Sequence, residues 1–497
     1  MSPSACGAVV ASQPVPAPLH IVYVTSEMAP HAKTGGLGDV GAALPKALVA
    51  LGHRVTVFLP RYGSIAFPPG DFMGSVHVPV DSIHRSAGFY RATGRDGVEV
   101  VFVEHPDFFA RPQLYGERGA DYVDNRLRFA FLSRAAIEYF RSRGERPSVF
   151  HAHDWQTGLV PVYLKAFYWD DPTLFRMPSV FTIHNASYQG VFGSDTVGVL
   201  GLPWNLGTPD ALEYYGGVSY LKGGILFSEI VTAVSPQYAR EIQGDLGYSM
   251  DRPIRSRAAD LVGILNGVDY DEWDPGVDTH IAANYSADDL AGKAACKADL
   301  LRSVGLPEFP DLPVIGVTSR LVHQKGFDIV VGAWWDVANR PIRMVVLGSG
   351  EAAVESGFRA LQQRAPDRIA ARLGYDTPLA HKIQAGADMF LMPSRFEPCG
   401  LTQMYALRYG TVPVVRATGG LVDTVEPWDA ATGQGTGFRF AHADGTGMTW
   451  AIDQARAAYA DREAWTALQR NGMAKDFSWE RSARAYEEVY RRGMSKV

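Results

Sequence analysis

Short apolar runs, each followed by polar residues and then by a helical pattern, constrain this chain more than any other feature. In the first half they are residues 19–26 (LHIVYVTS), 53–59 (HRVTVFL), 98–103 (VEVVFV), 148–152 (SVFHA), 178–183 (PSVFTI), 229–234 (EIVTAV) and 261–265 (LVGIL). The Val, Ile and Phe residues are nearly continuous rather than strictly alternating, which indicates strands buried on both faces, as in a parallel sheet. An antiparallel sheet requires hairpin turns, and none stands out between the runs. Helical stretches such as 126–141 (RLRFAFLSRAAIEYFR) supply the crossovers. The second half restarts the scheme with 312–317 (LPVIGV), 342–347 (IRMVVL), 389–392 (MFLM) and 412–416 (VPVVR), and 431–437 reads as a flexible loop. No repeat is short enough for a solenoid. A chain of 497 residues exceeds what one core serves. Two doubly wound α/β domains joined near residues 266–275 (NGVDYDEWDP) are therefore expected. At the end, Trp479, Ala483, Tyr486 and Tyr490 form one helical stripe behind Ser478, a candidate N-cap. That stripe must be buried on its own domain or on the other one.

The formal net charge of −6 gives no basis for a nucleic-acid or anionic-membrane partner, so any phosphate site must be local. Cys6, Cys296 and Cys399 lie far apart without a CxxC pair, which points to a reducing compartment and away from zinc ribbons and disulfide frameworks. Residues 1–18 are small, Pro-punctuated and uncharged, and read as a disordered lead-in rather than a signal or transit peptide. No apolar run reaches the length of a membrane span. A cytoplasmic location is expected.

In open α/β sheets ligands bind beyond the carboxyl ends of the strands, so those ends mark the site. The first is followed by Lys33-Thr34-Gly35-Gly36-Leu37-Gly38-Asp39 and then a helical pattern from Asp39. Its glycines permit close backbone approach, and a helix start beside a lysine can seat an anion. The spacing fits neither GxGxxG nor GxxxxGK[ST], and a plain glycine-rich turn with a solvated lysine is the competing reading. Other strand ends carry Glu27, His153 and Asp154, His184 and Asn185, Asn266, Arg320, Ser394 to Glu397, and Thr418 to Gly420. In HAHDW (151–155), His151 and His153 share a strand face, either as metal ligands or as hydrogen-bonding groups for a polyhydroxylated substrate. Arg320 and Lys325, five positions apart before Gly326, can hold a pyrophosphate from two sides or stand solvated. Glu397 sits in a Pro/Gly-shaped turn before a helix expected to start near Gly400. The neighbouring Cys399 is a nucleophile candidate by position, or, lacking a base, a small packing residue.

KTGGLGDV, HAHDWQTG, FTIHNASYQGVF, ILNGVD, SRLVHQKG and SRFEPCGLTQMYALRYGT, in this order, resemble bacterial glycogen synthases and plant starch synthases. The resemblance runs from about Ile21 to the final helix. It implies a GT-B fold, two Rossmann-like domains facing each other across a deep cleft. Residues 1–18 are then a lead-in, 19–265 an acceptor domain, 266–476 a nucleotide-sugar domain, and 477–497 a helix crossing back to the first domain. It implies a retaining transferase that moves glucose from ADP-glucose to the non-reducing end of an α-1,4-glucan primer, with no metal or other cofactor. Carried over by position, Arg320 and Lys325 hold the diphosphate, Glu397 holds the donor glucose, and Asp154 and His184 complete the catalytic set. Lys33, Gly35, Gly36, Glu27, Asn185, Asn266, Tyr115, Cys399, Gly400, Leu401 and Thr402 are implied in donor binding, with Tyr115 near the adenine. UDP-glucose as donor and a phosphorylase-like activity remain alternatives, and the oligomeric state is left open. A dehydrogenase lacks GxGxxG here, and a non-catalytic glucan-binding module leaves Arg320, Lys325 and Glu397 without a task.

Overall fold

In the computed structural model, which describes residues 17–81, 85–94 and 96–497, the apolar runs become the strands of two sheets. Most of the 1–18 lead-in, with Cys6, lies outside the described residues. The first sheet has nine strands: β1 (His20–Val24), β2 (Arg54–Pro60), β3 (Asp71–Val78), β4 (Arg85–Thr93), β5 (Glu99–Glu104), β6 (Val149–His153), β7 (Ser179–Ile183), β8 (Ile230–Ala233) and β9 (Leu261–Gly263). Their spatial order is β9-β8-β7-β6-β1-β2-β5-β4-β3. The second sheet has six: β10 (Val314–Thr318), β11 (Arg343–Gly348), β12 (Ile369–Leu373), β13 (Met389–Met392), β14 (Val412–Arg416) and β15 (Phe438–Phe440), in the order β12-β11-β10-β13-β14-β15.

The second sheet is parallel throughout, and its alternate residues feed two cores. Ile315, Val317, Met344 and Val346 pack with Phe327, Trp334 and Phe358. Val314, Val345 and Leu347 pack with Leu300, Ile383 and Leu421. Burial on both faces is the reason these strands read as unbroken apolar runs. The first sheet departs from the parallel expectation at one edge, where β4 pairs antiparallel with β3 and β5. Strand β3 (DFMGSVHV) is largely exposed, and residues 79–84 (PVDSIH) carry no Asn-Gly or Asp-Gly turn, so neither signal of a hairpin was present. Strands β12 and β15 likewise lack a long apolar run.

Both sheets have a topological switch point. Strand β1 is flanked by β2 and β6, and β10 by β11 and β13, so successive connections leave the central pair in opposite directions. The chain ends above each pair splay apart and leave a crevice.

Six helices pack on the two sheets or between them: α1 (Gly36–Ala50), α2 (Asn125–Arg143), α3 (Pro236–Glu241), α4 (Thr402–Arg408), α5 (Gly420–Thr424) and α6 (Trp479–Met494). Helix α6 buries Trp479, Ala483, Tyr486 and Tyr490 in the core of the first sheet. Tyr490 Oη lies 2.9 Å from His151 Nδ1, and Ser482 Oγ donates to Leu265 O at 2.6 Å. Ser478 occupies the N-cap position of α6, but its hydroxyl makes no capping bond. A strand-like pairing with Val268 holds this entry extended, and Asp476 accepts the Ser478 amide instead. The segment joining the sheets is anchored on both sides. Lys46 of α1 bonds Asp269 and Asp271, and Trp273 stacks between His381 and Tyr405 at 3.9 and 4.2 Å. Among the described residues no helix is long and apolar enough to cross a membrane.

Candidate active site in the crevice between the two sheets

The first wall is built where β1 and β6 end. Glu27 lies three residues beyond β1 and is 4% exposed. Its Oε2 accepts the amides of Thr34 (2.6 Å) and Gly35 (3.2 Å), and its Oε1 accepts the Thr34 and Tyr115 hydroxyls, both at 2.6 Å. Glu27 is thus engaged by the glycine loop and Tyr115 through both carboxylate oxygens. The Tyr115 hydroxyl, also 2.9 Å from Ser26 Oγ, is engaged in the same network. Lys33 is exposed and pairs with Asp39 at 2.6 Å. Helix α1 begins at Gly36, three residues before the position expected, and Gly35 and Gly36 have open space where a side chain would be.

At the end of β6, Asp154 takes a left-handed backbone conformation (φ 53°). That turns its carboxylate under the end of β7, where Oδ1 accepts the amides of His184 (2.7 Å) and Asn185 (3.4 Å). Burial pushes the Asp154 carboxyl up to about 7, against the pull of those two amides. Burial likewise lowers the His184 imidazole to about 3, and holds His151 and His153 well below the ordinary histidine value. Three neutral imidazoles can therefore stand together: His153 Nδ1 lies 3.0 Å from His184 Nε2, and the His151 nitrogens meet Tyr490 Oη and Thr182 Oγ1. With both nitrogens engaged, His151 belongs to the packing of α6 and not to a ligand pair. Among the described residues no group of three or more His, Cys, Asp or Glu side chains could hold a metal ion. Asn185 Oδ1 closes a local turn by accepting from Ser187 N and Oγ.

The second wall is built where β10 and β13 end. Gly326 (φ 71°) lies so close to the Pro393 carbonyl that a Cβ would sit 2.1 Å from it. This approach brings Lys325 against Glu397: Nζ to Oε2 is 2.5 Å, and Ser394 Oγ donates to the same oxygen at 3.1 Å. No described residue donates to Glu397 Oε1. Arg320 is exposed and has no hydrogen-bond or ion-pair partner among the described residues, so the two cations of this loop are not brought together on one protein group. Helix α4 starts at Thr402, two residues beyond the expected point, because Gly400 is left-handed (φ 72°). The amides of Gly400 and Leu401 make no hydrogen bond to a described residue. The Thr402 hydroxyl turns to Met392 Sδ at 3.5 Å. Cys399 is buried, its thiol is pushed up to about 12 by burial, and it accepts the Asn266 amide; it is a packing group with no thiolate at neutral pH. The Thr418-Gly419-Gly420 turn lies directly on the Glu397 loop: Gly420 N donates to Glu397 O at 3.1 Å, and a Cβ on Gly419 would sit 1.9 Å from that carbonyl.

The walls meet beside the crevice. Ser235 Oγ donates to Pro398 O at 2.6 Å. Asp423 of α5 accepts the Gln237 amide of α3 at 2.7 Å, while Glu241 of α3 accepts the Gly419 amide at 3.0 Å, so each domain supplies an acid to the other's helix start. One further residue lies near Lys33 from the second domain: Tyr375, 87% exposed just beyond β12. Nothing in the sequence pattern singles it out, since the strand before it carries no apolar run; an aromatic directly after Gly374 was the one available sign.

Residues 20–256 match the family model described as "Starch synthase catalytic domain", and residues 304–471 match "Glycosyl transferases group 1". The chain is 50% identical over 477 residues to a glycogen synthase of Anaeromyxobacter sp. (strain Fw109-5), covering 95% of this chain and 99% of that one. It is 48% identical over 474 residues to a glycogen synthase of Koribacter versatilis (strain Ellin345), covering 95% and 98%. The catalytic domain of starch synthase IV from Arabidopsis thaliana, solved with ADP and acarbose bound, superposes with a TM-score of 0.88 at 37% identity, covering 96% of this chain and all of that one. A sucrose-phosphate synthase from Thermosynechococcus elongatus shares the fold, with a TM-score of 0.62 at 18% identity, covering 96% of this chain and 100% of that one.

Proposed function

The chain belongs to the glycogen and starch synthase family, and from that premise we propose that it lengthens α-1,4-glucans by transferring glucose from ADP-glucose to the non-reducing end. It is a glycosyltransferase of the GT-B fold. The observation that supports the residue assignment is the contact between the two switch-point ends, Ser235 Oγ with Pro398 O and Glu241 with Gly419 N. One presents Lys33, Asp154 and His184, and the other presents Arg320, Lys325 and Glu397.

On this reading the donor's diphosphate lies against the second sheet. Arg320 and Lys325 neutralise it, and the unpartnered amides of Gly400 and Leu401 add donors. Lys325 already balances Glu397, so it can swing part of its charge to the diphosphate while Ser394 still holds the carboxylate. Glu397 Oε1 is open to accept a hydroxyl of the donor glucose. Lys33 reaches from the opposite wall, and the exposed ring of Tyr375 offers a flat face for the base.

Transfer breaks the bond from the donor's anomeric carbon to the phosphate oxygen and forms one to the acceptor O4. Positive charge develops on the sugar ring. The Asp154 carboxylate and the neutral His184 imidazole are the groups we assign to that charge, in a crevice where fixed dipoles act strongly. Retention by double displacement needs a free carboxylate at the anomeric carbon. Glu397 is tied to Lys325 and Ser394, and Glu27 is occupied by its own loop and Tyr115, so front-face attack is the better fit. The acceptor's proton then passes to the departing phosphate oxygen, and ADP leaves. Because two cationic side chains carry the leaving-group charge, no metal is required.

The test is incorporation of labelled glucose into glycogen from ADP-glucose and from UDP-glucose, each with and without EDTA. ADP-glucose should be used, with turnover unchanged by the chelator. Preference for UDP-glucose would overturn the donor assignment, and a loss with EDTA restored by a divalent cation would overturn the metal-free chemistry.

A further inference from the structure

We infer that Glu27 is a positioning residue that never touches the donor, and that its carboxylate, with Tyr115, clamps the glycine loop in the shape that presents Lys33 to the crevice. A carboxylate has about four acceptor positions on its two oxygens. In Glu27 all four are filled, by Thr34 N, Gly35 N, Thr34 Oγ1 and Tyr115 Oη. No acceptor capacity is left for a sugar or nucleotide hydroxyl. Glu397 across the crevice is the opposite case, with one oxygen held and the other open.

The loop needs such a clamp. Its base is shaped by backbone bonds: Met28 and Ala32 exchange amides at 2.9 Å, and Ala29 N donates to Gly38 O at 2.9 Å. Its tip has less: Gly35 O accepts the Gly38 amide at 3.1 Å, and Lys33 Nζ pairs with Asp39 at 2.6 Å. Gly35 and Gly36 have nothing packed where a Cβ would point, and Lys33 and Thr34 are exposed. Among the described residues, only Glu27 accepts the Thr34 and Gly35 amides. Glycine has the largest backbone freedom to lose, so this tip is where ordering costs most. The phenol of Tyr115 is held well above its ordinary value by burial and by the charge of Glu27, so it stays protonated and donates. Glu27 is fixed in turn because α1 rests on its backbone: a Cβ on Gly41 would lie 2.3 Å from Glu27 O.

The inference rests on the donor-site reading of Lys33, and its test separates the two. Hydrogen exchange is followed in ligand-free Glu27→Gln and Tyr115→Phe. Donor KM and kcat are measured for these variants, for Lys33→Ala, and for the Glu27→Gln/Lys33→Ala pair. Loss of a charge-assisted acceptor should speed exchange of the Thr34 and Gly35 amides by about tenfold or more in Glu27→Gln, with the core strands unchanged. Tyr115→Phe, which keeps the carboxylate, should give a smaller effect in the same direction and stands in if Glu27→Gln does not fold. Donor KM should rise by a similar factor in Glu27→Gln and show no further rise when Lys33 is already absent. Unchanged exchange at Thr34 and Gly35 overturns the clamp, whatever the donor is. Faster exchange with a KM effect that adds fully to that of Lys33→Ala overturns positioning through Lys33. A Lys33→Ala enzyme with normal donor KM overturns the donor-site reading of that loop, and the exchange data still decide the clamp.

Discussion

Replacing Lys325 by alanine separates charge balance from chemistry. Lys325 Nζ lies 2.5 Å from Glu397 Oε2, with the side chains 16% and 5% exposed. At an effective dielectric constant of about 20, unit charges this close attract by about 7 kcal/mol, most of it offset by desolvating both ions. Removing one partner strands the other charge, at a cost of about 3–5 kcal/mol; the remaining exposure of Lys325 places this variant near the lower figure. Ser394 alone then holds the Glu397 carboxylate. The departing diphosphate also loses a cation, which by analogy with a lost oxyanion donor lowers kcat by roughly 10²–10³-fold. Denaturant unfolding reads the first loss and glucose incorporation into glycogen reads the second. The double variant Lys325→Ala/Glu397→Gln removes the stranded charge, so it should recover most of the stability and none of the turnover. Near-normal turnover in Lys325→Ala would refute the diphosphate assignment. Recovery of turnover in the double variant would show that Lys325 only balances Glu397.

Two more expected outcomes concern buried groups. The Asp154 carboxyl, raised by burial from 3.8 to about 7, binds its proton more tightly in the fold than in the unfolded chain. Its contribution to stability is therefore complete below about pH 4 and is lost as pH rises through 7. If the carboxylate is the active form, kcat/KM should rise through an apparent pKa near 7, and Asp154→Asn should give a low, flat profile; the wild-type inflection persisting in Asp154→Asn assigns it to another group. Tyr490→Phe leaves the fully buried His151 Nδ1 without its partner at 2.9 Å. A loss of about 1–3 kcal/mol in denaturant unfolding is expected, with KM and kcat unchanged. A shifted donor KM would mean that α6 shapes the site as well as the core.

The placement of Lys33, Asp154, His184, Arg320, Lys325 and Glu397 at strand ends was legible in the sequence. Each follows a short apolar run, the pattern of a strand covered on both faces. The antiparallel edge was not legible, because β3 is exposed and its connection to β4 is not a tight turn. Strand β12 was hidden in the same way, and with it Tyr375. Which carboxylates keep an open oxygen was also out of reach. Glu27 and Glu397 follow their strands in much the same manner, yet one is saturated by its own loop and the other keeps an oxygen open.

By itself, then, the sequence determined the two-sheet α/β plan and most of the chemical groups at its strand ends, because hydrophobic periodicity and strand-end placement are local properties of the chain. Tertiary structure alone decided how those groups are engaged. Lys325 meets Glu397 across 72 positions, His151 meets Tyr490 across 339, and the crevice acids Glu241 and Asp423 reach into the opposite domain. Such pairings depend on which loops the crossovers bring together, and burial then sets their charge states: neutral histidines, a protonation-poised Asp154 and an inert Cys399. Desolvation acts on groups the fold has already enclosed, and no stretch of sequence carries it alone.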